Sequence, residues 1–216
     1  KTIAERNGVE MYDVYTGFKW IANVMRENEG KKNYIGGGEE SYGFLCEDFV
    51  RDKDAVSACV ILAEIAAWAK DQGLSLYQLL QKIYVEYGFS KEKGISVVKK
   101  GKSGAEEIEA MMKKFRENPL TEIAGSKVTY FYDYSTLKGK DYAENETVTL
   151  DMPTTSNVLQ YFTEDNTKVS IRPSGTEPKI KFYCEVHSKV KSIDELPEAE
   201  KAAEEKINQI KASLGI

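Results

Sequence analysis

One segment of the sequence is rich in groups that bind anions. Residues 172–179 read Arg-Pro-Ser-Gly-Thr-Glu-Pro-Lys. The guanidinium of Arg172 can hold a phosphate through two hydrogen bonds, and Lys179 adds a second positive charge. Hydroxyl donors and a flexible backbone position lie between them, at Ser174, Gly175 and Thr176. The spacing predicts a preformed loop for a doubly charged anion, and an ordinary hairpin turn with a structural Arg–Glu pair is the alternative.

A second segment, residues 36–43, places carboxylates and a hydroxyl between glycines. It has neither the glycine spacing of a dinucleotide fingerprint nor the terminal Lys-Ser/Thr of a P-loop. Adjacent carboxylates can each accept hydrogen bonds through two oxygens, which suits neighbouring hydroxyl groups on a sugar ring. The candidate sugar-binding residues are Gly38, Glu39, Glu40 and Ser41. A solvated acidic loop is the alternative.

A third candidate is Lys19, which follows Thr16-Gly17-Phe18 where a helix is predicted to begin. A lysine at a helix N-terminus is electrostatically disfavoured, so its position indicates a partner such as a phosphate or a carboxylate. An ordinary surface lysine is the alternative.

Asp52 and Asp54 form a D-x-D pair, but Asp54 is better placed to cap the helix that follows than to bind a metal. His187, at the end of a strand, is interpreted as structural.

These segments lie between predicted elements of two kinds. The first part of the chain alternates strand and helix, which predicts an α/β layered domain. The later part has several strands with a helix on each side, which predicts a small α+β domain with an antiparallel sheet. The domain limits are placed at 1–94 and 95–216, with the boundary somewhere in 88–102. Residues 9–14 are predicted to form a strand of the first domain.

Composition limits the possible partners. The chain has 216 residues and a formal net charge of −5, which argues against general binding to nucleic acid or to anionic membranes. No apolar run approaches the roughly 20 residues that a membrane-spanning helix needs. Three dispersed cysteines and a single histidine make a Cys/His zinc site improbable, and they fit a cytoplasmic protein.

Together the motifs resemble the α-D-phosphohexomutase superfamily, in its bacterial phosphoglucomutase/phosphomannomutase branch. Residues 172–179 look like the phosphate-binding loop of the fourth domain of that family, and residues 38–43 look like the sugar-recognition loop of the third. Residues 16–19 resemble the third-domain segment whose lysine reaches the active site, so Lys19 is a catalytic candidate. Residues 51–55 resemble the stretch that opens the next helix. The resemblance runs in the same order through nearly the whole chain.

The resemblance implies an activity that also requires the first two domains of the family, whose motifs do not occur in this sequence. Intact family members are intramolecular phosphotransferases of carbohydrate metabolism, which interconvert hexose 1-phosphate and hexose 6-phosphate through a hexose 1,6-bisphosphate. The phosphoserine loop and the aspartate loop that binds Mg²⁺ belong to the first two domains, and neither motif occurs here. We therefore expect the last two of four domains, with hexose phosphate as ligand, no metal ligand of their own, and no turnover alone.

Three alternatives stay open at this point. The chain could be a stand-alone sugar-phosphate binding module without catalysis, or its loops could be incidental to a structural role. Within the mutase interpretation, glucose, mannose and a pentose (a phosphopentomutase parent) are all possible sugars.

Overall fold

A computed structural model describes residues 1–39, 42–99, 101–175 and 177–216, with only the backbone of Lys102. The chain divides into two compact units, Lys1–Ile83 and Tyr84–Ile216.

The first unit consists mainly of helices. They are α1 (Thr2–Arg6), α2 (Phe18–Asn28), α3 (Ala55–Asp71) and α4 (Leu76–Tyr87), the last of which runs across the division into the second unit. Two short strands, β1 (Gly36–Gly38) and β2 (Phe44–Cys46), pair antiparallel with Gly37 opposite Leu45. The buried cluster of this unit is small and contains Phe18, Met25 and Leu45.

The second unit is built on one large antiparallel sheet with helices. Its strands are β3 (Phe89–Val98), β4 (Glu122–Ile123), β5 (Ser126–Asp133), β6 (Lys138–Asp141), β7 (Glu146–Thr149), β8 (Leu159–Thr163), β9 (Lys168–Pro173) and β10 (Lys179–Ser188). The spatial order is β3-β10-β9-β8-β5-β6-β7, and β4 pairs with β5. The helices are α5 (Gly101–Glu117) and α6 (Leu196–Leu214), with a 3-10 turn at Ile193–Glu195.

Alternation along the strands puts the core on one face of this sheet. In β10, Ile180 and Phe182 are buried while Lys181 and Tyr183 between them are half-buried, as a period of two requires. The helices supply apolar side chains at helical spacing to the same buried cluster, which in α6 are Leu196, Ala203, Ile207, Ile210 and Leu214. The cluster holds 21 buried residues among those described, so the second unit has a substantial core of its own.

The predicted combination of helices with an antiparallel sheet is confirmed. The strand predicted over residues 9–14 is wrong, because this segment has irregular backbone and no described strand pairs with it. A run of β-prone residues becomes a strand only when a partner supplies the hydrogen bonds. The strands β6 and β7 were not predicted, because their sequences are polar and they lie towards the sheet edge, where few side chains are buried.

Gly139 in β6 should resist even a methyl group. A Cβ there would lie 2.9 Å from the carbonyl oxygen of Phe131 and closer still to the ring of Tyr132. We expect Gly139→Ala to lower the free energy of unfolding of the second unit by about 1–3 kcal/mol, measured by urea denaturation. Gly94→Ala in β3 is the matched control, since its Cβ would have 4.0 Å to the nearest atom. Equal stability of the two variants would contradict the packing argument.

Candidate functional site

The first candidate loop joins β1 to β2. Gly38 is the last residue of β1, and the N–H of Glu39 donates to the carbonyl of Gly43 at 2.8 Å, which closes the loop. Glu40 and Ser41, two of the predicted sugar ligands, lie outside the described residues. Among the described residues, this loop is therefore a short hairpin connection that contains Glu39.

Glu39 is bound to the start of α2, 22 residues earlier in the chain. One carboxylate oxygen accepts a hydrogen bond from the N–H of Gly17 at 2.9 Å, and the side chain is only 11% exposed. Gly17 is the N-cap residue of α2 and offers no side chain, so Glu39 supplies the negative charge that a helix N-terminus favours. The contact brings the predicted sugar loop and the segment of residues 16–19 together.

Lys53 joins the same cluster from the stretch that precedes α3. Its ammonium lies 3.9 Å from the carboxylate of Glu39 and 5.8 Å from the ring centre of Phe18. A Cβ on Gly43 would lie 2.6 Å from the Glu39 carboxylate and 2.8 Å from the Lys53 side chain, so a larger residue here would displace these two side chains. Lys53 is not among the predicted site residues, because its proximity to Glu39 arises only on folding.

Lys19 lies in the first turn of α2 and is exposed, with its ammonium 5.0 Å from the ring centre of Trp20. A catalytic or phosphate-binding role for Lys19 stays a prediction.

Asp54 caps α3, as the sequence predicted. Its carboxylate accepts a hydrogen bond from the N–H of Ser57 at 2.7 Å, and this bond lowers the pKa of Asp54. The carboxylate of Asp52 accepts from the N–H of Lys53 at 2.8 Å. Both carboxylates of the D-x-D pair are thus engaged, and the described residues contain no group of three His, Cys, Asp or Glu side chains that could hold a metal ion. These residues do not fit a magnesium site.

The second candidate loop connects β9 to β10. Arg172 lies in β9 and Lys179 is the first residue of β10. The N–H of Ser174 donates to the carbonyl of Lys179 at 2.8 Å, and the hydroxyl of Ser174 accepts from the N–H of Glu177 at 3.3 Å. Gly175 is exposed, and no atom lies within 4 Å of where its Cβ would be. Thr176 lies outside the described residues. Hydrogen bonds within the loop therefore hold its two sides together. Its exposed backbone at Gly175 remains accessible to a ligand.

Strand register adds a cation that the sequence analysis missed. Lys181 in β10 lies directly opposite Arg172 in β9, on the sheet face that the core does not occupy. Like charges directly opposite one another destabilise an antiparallel pair. Among the described residues, the ion pairs of this hairpin are Lys179 with Glu177, Lys168 with Glu185 and His187 with Glu185, so neither Arg172 nor Lys181 has a paired carboxylate. A two-residue spacing from Lys179 could have indicated Lys181, since it puts both on one face of a strand.

The electrostatics of this loop are dominated by its cations. The hydrogen bond from Lys179 lowers the pKa of Glu177, and the charge of Lys181 contributes to the same shift. The carboxylate of Glu177 therefore lies near two cations, Lys179 and Lys181, and a third, Arg172, lies opposite Lys181 in the sheet. Such a local excess of positive charge favours a ligand with a double negative charge.

An open cavity of about 870 Å³ adjoins the loop within the second unit. One wall is formed by the loop, including Ser174 and Gly175, and another by α5, including Met112 and Arg116. Arg116 is held by the buried carboxylate of Asp133, with its Nε donating at 2.8 Å. The cavity offers a phosphorylated ligand space beside the loop.

His187 is paired with Glu185 in the same strand. Its Nε2 lies 2.8 Å from a carboxylate oxygen of Glu185, and this hydrogen bond raises the pKa of His187 above its ordinary 6.5 and lowers the pKa of Glu185 below its ordinary 4.5. The imidazolium–carboxylate pair therefore stabilises the fold fully below the unfolded pKa of His187 as long as Glu185 stays ionised. That stabilisation is lost as the pH rises through the folded pKa of His187.

We expect the free energy of unfolding of the second unit to fall as the pH rises above 6.5 and through the raised folded-state pKa of His187, because His187 then loses its proton. Glu185→Gln should remove this part of the pH dependence and lower the pKa of His187, measured from its imidazole proton resonance by NMR. An unchanged pKa in the variant would show that Glu185 does not hold the proton.

The chain matches two family models. Phosphoglucomutase/phosphomannomutase, alpha/beta/alpha domain III, matches residues 1–87, and the C-terminal domain of the same family matches residues 96–203. The chain belongs to the phosphoglucomutase/phosphomannomutase family. The first match ends at residue 87 and the second begins at residue 96. The domain limits 1–94 and 95–216 stay a prediction.

Several relatives are phosphoglucomutases. The chain is 37% identical to the phosphoglucomutase of Staphylococcus haemolyticus over 187 residues, which are 87% of this chain and 34% of that protein. It is 40% identical to that of Staphylococcus aureus (strain bovine RF122 / ET3-1) over 183 residues, which are 85% of this chain and 33% of that protein. The chain thus spans about a third of the length of the curated relatives it matches.

The fold is also found in a solved member of the family. The open form of the exocytosis-sensitive phosphoprotein pp63/parafusin from Paramecium, described as a phosphoglucomutase, aligns with a TM-score of 0.57 at 19% identity. The alignment covers 100% of this chain and 36% of that one, and it supports the fold alone. None of the described helices has the length and apolar character needed to span a membrane.

Proposed function

We propose that this chain is the substrate-binding C-terminal part of a phosphoglucomutase that interconverts hexose 1-phosphate and hexose 6-phosphate through a bisphosphate. The observation that carries the proposal is the open β9–β10 loop, where cations outnumber the one carboxylate. In this role Arg172, Ser174, Gly175, Thr176 and Lys179, joined by Lys181, bind the phosphate that is not being transferred. Glu39, Glu40 and Ser41, with the backbone of Gly38, bind the sugar hydroxyls.

The contribution of these residues is positioning. Phosphoryl transfer depends mostly on positioning the reactants and stabilising charge. Binding of the phosphate that is not transferred positions the substrate. Magnesium would serve the transfer step in the intact enzyme, with ligands outside this chain, and Lys19 is a candidate for substrate-phosphate contact or proton transfer. We propose that the chain alone, in a cytoplasmic setting, binds hexose phosphates without turning them over, because the phosphoserine loop is not in its sequence.

The proposal is tested by titrating glucose 1,6-bisphosphate into the chain and following backbone amide resonances by NMR. The amides of residues 172–179 and of the 38–43 loop are expected to shift, because their N–H groups and neighbours meet the ligand. Unphosphorylated glucose at the same concentration is the control and should leave the 172–179 resonances in place. Unchanged resonances in both loops with the bisphosphate would refute the proposed function. Mannose and pentose phosphates in the same titration rank the sugars.

A further inference from the structure

The β9–β10 loop contains a carboxylate that pairs with one of its own cations. Residues 172–181 carry three basic side chains and a single acidic one, Glu177. The carboxylate of Glu177 forms an ion pair with the ammonium of Lys179. Lys179 is one of the residues proposed to bind phosphate, so the carboxylate and a phosphate would contact the same ammonium.

The backbone of Glu177 is held by bonds that do not involve its side chain. The N–H of Lys179 donates to the carbonyl of Glu177 at 2.7 Å, which closes a three-residue turn centred on Pro178. The N–H of Glu177 donates to the hydroxyl of Ser174 at 3.3 Å. The carboxylate can therefore separate from Lys179 while the turn keeps its hydrogen bonds.

The two partners of the ion pair differ in how firmly they are placed. Lys179 begins β10 and pairs with Val98 of β3, so the sheet fixes its backbone, and its side chain is 28% exposed. The side chain of Glu177 is 59% exposed. An exposed ion pair contributes little to stability, because water solvates the separated charges well. A ligand can therefore replace the carboxylate at small cost while the ammonium keeps its place.

The other cations of the loop make the carboxylate useful in the free protein. Lys181 lies opposite Arg172, and like charges in this arrangement repel one another. Lys179 and, less strongly, Lys181 lower the pKa of Glu177, so its carboxylate is ionised at neutral pH. Its negative charge reduces the repulsion among the three cations.

We propose that Glu177 is a positioning residue that competes with phosphate for Lys179. Its carboxylate holds the ammonium in the free protein and gives it up when a doubly charged phosphate binds. Phosphate has the advantage because it can contact all three cations of the loop at once, whereas the carboxylate pairs with one of them. The inference rests on the proposed function in taking this loop as the phosphate site.

Such competition suits a reaction that passes through a bisphosphate. Interconversion of the 1-phosphate and the 6-phosphate requires that the phosphate held during the first transfer be the one transferred in the second. The loop must therefore release one phosphate and bind the other. A carboxylate that pairs with Lys179 as the first phosphate leaves makes this release easier, because the ammonium regains a counter-ion. Glu177 thus lowers the affinity and speeds the exchange.

Removing the charge of Glu177 should tighten binding. Inorganic phosphate and glucose 1,6-bisphosphate are each titrated into the chain at pH 8, where phosphate groups are mostly doubly charged, and the amide resonances of residues 172–179 are followed by NMR. Glu177→Gln is expected to lower both dissociation constants roughly two- to fivefold, the range that an exposed ion pair supports. It should also slow dissociation of the bisphosphate, measured from the NMR line shapes.

Two further variants show whether the effect passes through Lys179. Glu146→Gln removes the same charge from an exposed position on β7, five strands from β10, and should leave both dissociation constants unchanged. In a chain that already carries Lys179→Met, Glu177→Gln should no longer tighten binding, because the side chain for which the carboxylate competes is gone. The amide spectra check that each variant is folded.

Weaker or unchanged binding by the Glu177→Gln variant would overturn the inference, since the carboxylate would then assist the ligand or not affect it. A gain of the same size in the Lys179→Met chain would also overturn it, because the carboxylate would then repel the ligand directly. Inorganic phosphate alone decides this comparison, whereas the proposed function is decided by the shifts that the bisphosphate causes in both loops. If neither ligand binds, both fail.

Discussion

Replacing Arg172 with alanine is expected to weaken binding of glucose 1,6-bisphosphate by at least about tenfold, because a hydrogen bond to a charged group contributes roughly 1.5–3 kcal/mol. Arg172 lies opposite Lys181 with no paired carboxylate among the described residues. Removing it therefore relieves a like-charge contact in the free protein. The loss of affinity should come without a loss of stability, and this combination separates a ligand contact from a structural arginine.

The affinity is measured by NMR or calorimetric titration of the chain, and the stability by urea denaturation. Arg172→Lys should recover only part of the affinity, because lysine keeps the charge but not the planar fork. Lys168→Ala is the control: Lys168 lies on the same strand and the same face, further from the loop, and pairs with Glu185 at 3.8 Å. Equal affinity of the Arg172→Ala variant and the unmodified chain would remove Arg172 from the phosphate site.

Phe182→Ala should have the largest effect on stability. Phe182 is fully buried in β10 and meets the ring of Phe115 edge to face, with ring centres 6.2 Å apart. Its loss is expected to lower the free energy of unfolding of the second unit by about 3–5 kcal/mol, from the lost burial and the cavity left behind. Since whole domains are stable by only about 5–15 kcal/mol, much of the unit's stability depends on this side chain.

The measurement must report on the second unit alone. Both tryptophans, Trp20 and Trp68, lie in the first unit, so tryptophan fluorescence follows the unfolding of that unit. Amide resonances of β10 in a urea series follow the unfolding of the second unit. Ile193→Ala, at an exposed position of the same unit, is expected to change the free energy of unfolding by no more than about 0.5 kcal/mol. A loss below about 1 kcal/mol for Phe182→Ala would contradict the assignment of β10 to the centre of the core.

The effect of Arg172→Ala on ligand affinity and the effect of Phe182→Ala on stability are connected through β10. The strand carries Phe182 on its buried side and Lys179 and Lys181 on the other, so the packing that holds the strand also holds the cations in place. A weakened core should therefore reduce phosphate binding as well, in proportion to the unfolded fraction. Arg172→Ala should reduce binding at full stability, so the pair of variants separates support of the loop from contact with the ligand.

The site could be predicted from the sequence only where its parts are close together along the chain. Residues 172–179 hold their donors within eight positions, and the order of the motifs led to the family that the domain models confirm. The contact of Glu39 with Gly17 spans 22 residues and depends on how the β1–β2 hairpin packs near α2. Lys181 joins the cations through strand register, which depends on the turn between β9 and β10.

The sequence by itself determined the features that local forces decide. Asp54 as the cap of α3 follows from a hydrogen bond between residues three apart. The helices and the central strands followed from periodic apolar residues. Tertiary structure decided what needs a distant partner. Residues 9–14 have a strand-like sequence but no strand to pair with among the described residues, whereas the polar β6 pairs with β5, and β7 pairs in turn with β6. A strand exists only with its neighbour, so the sequence of one segment cannot establish it.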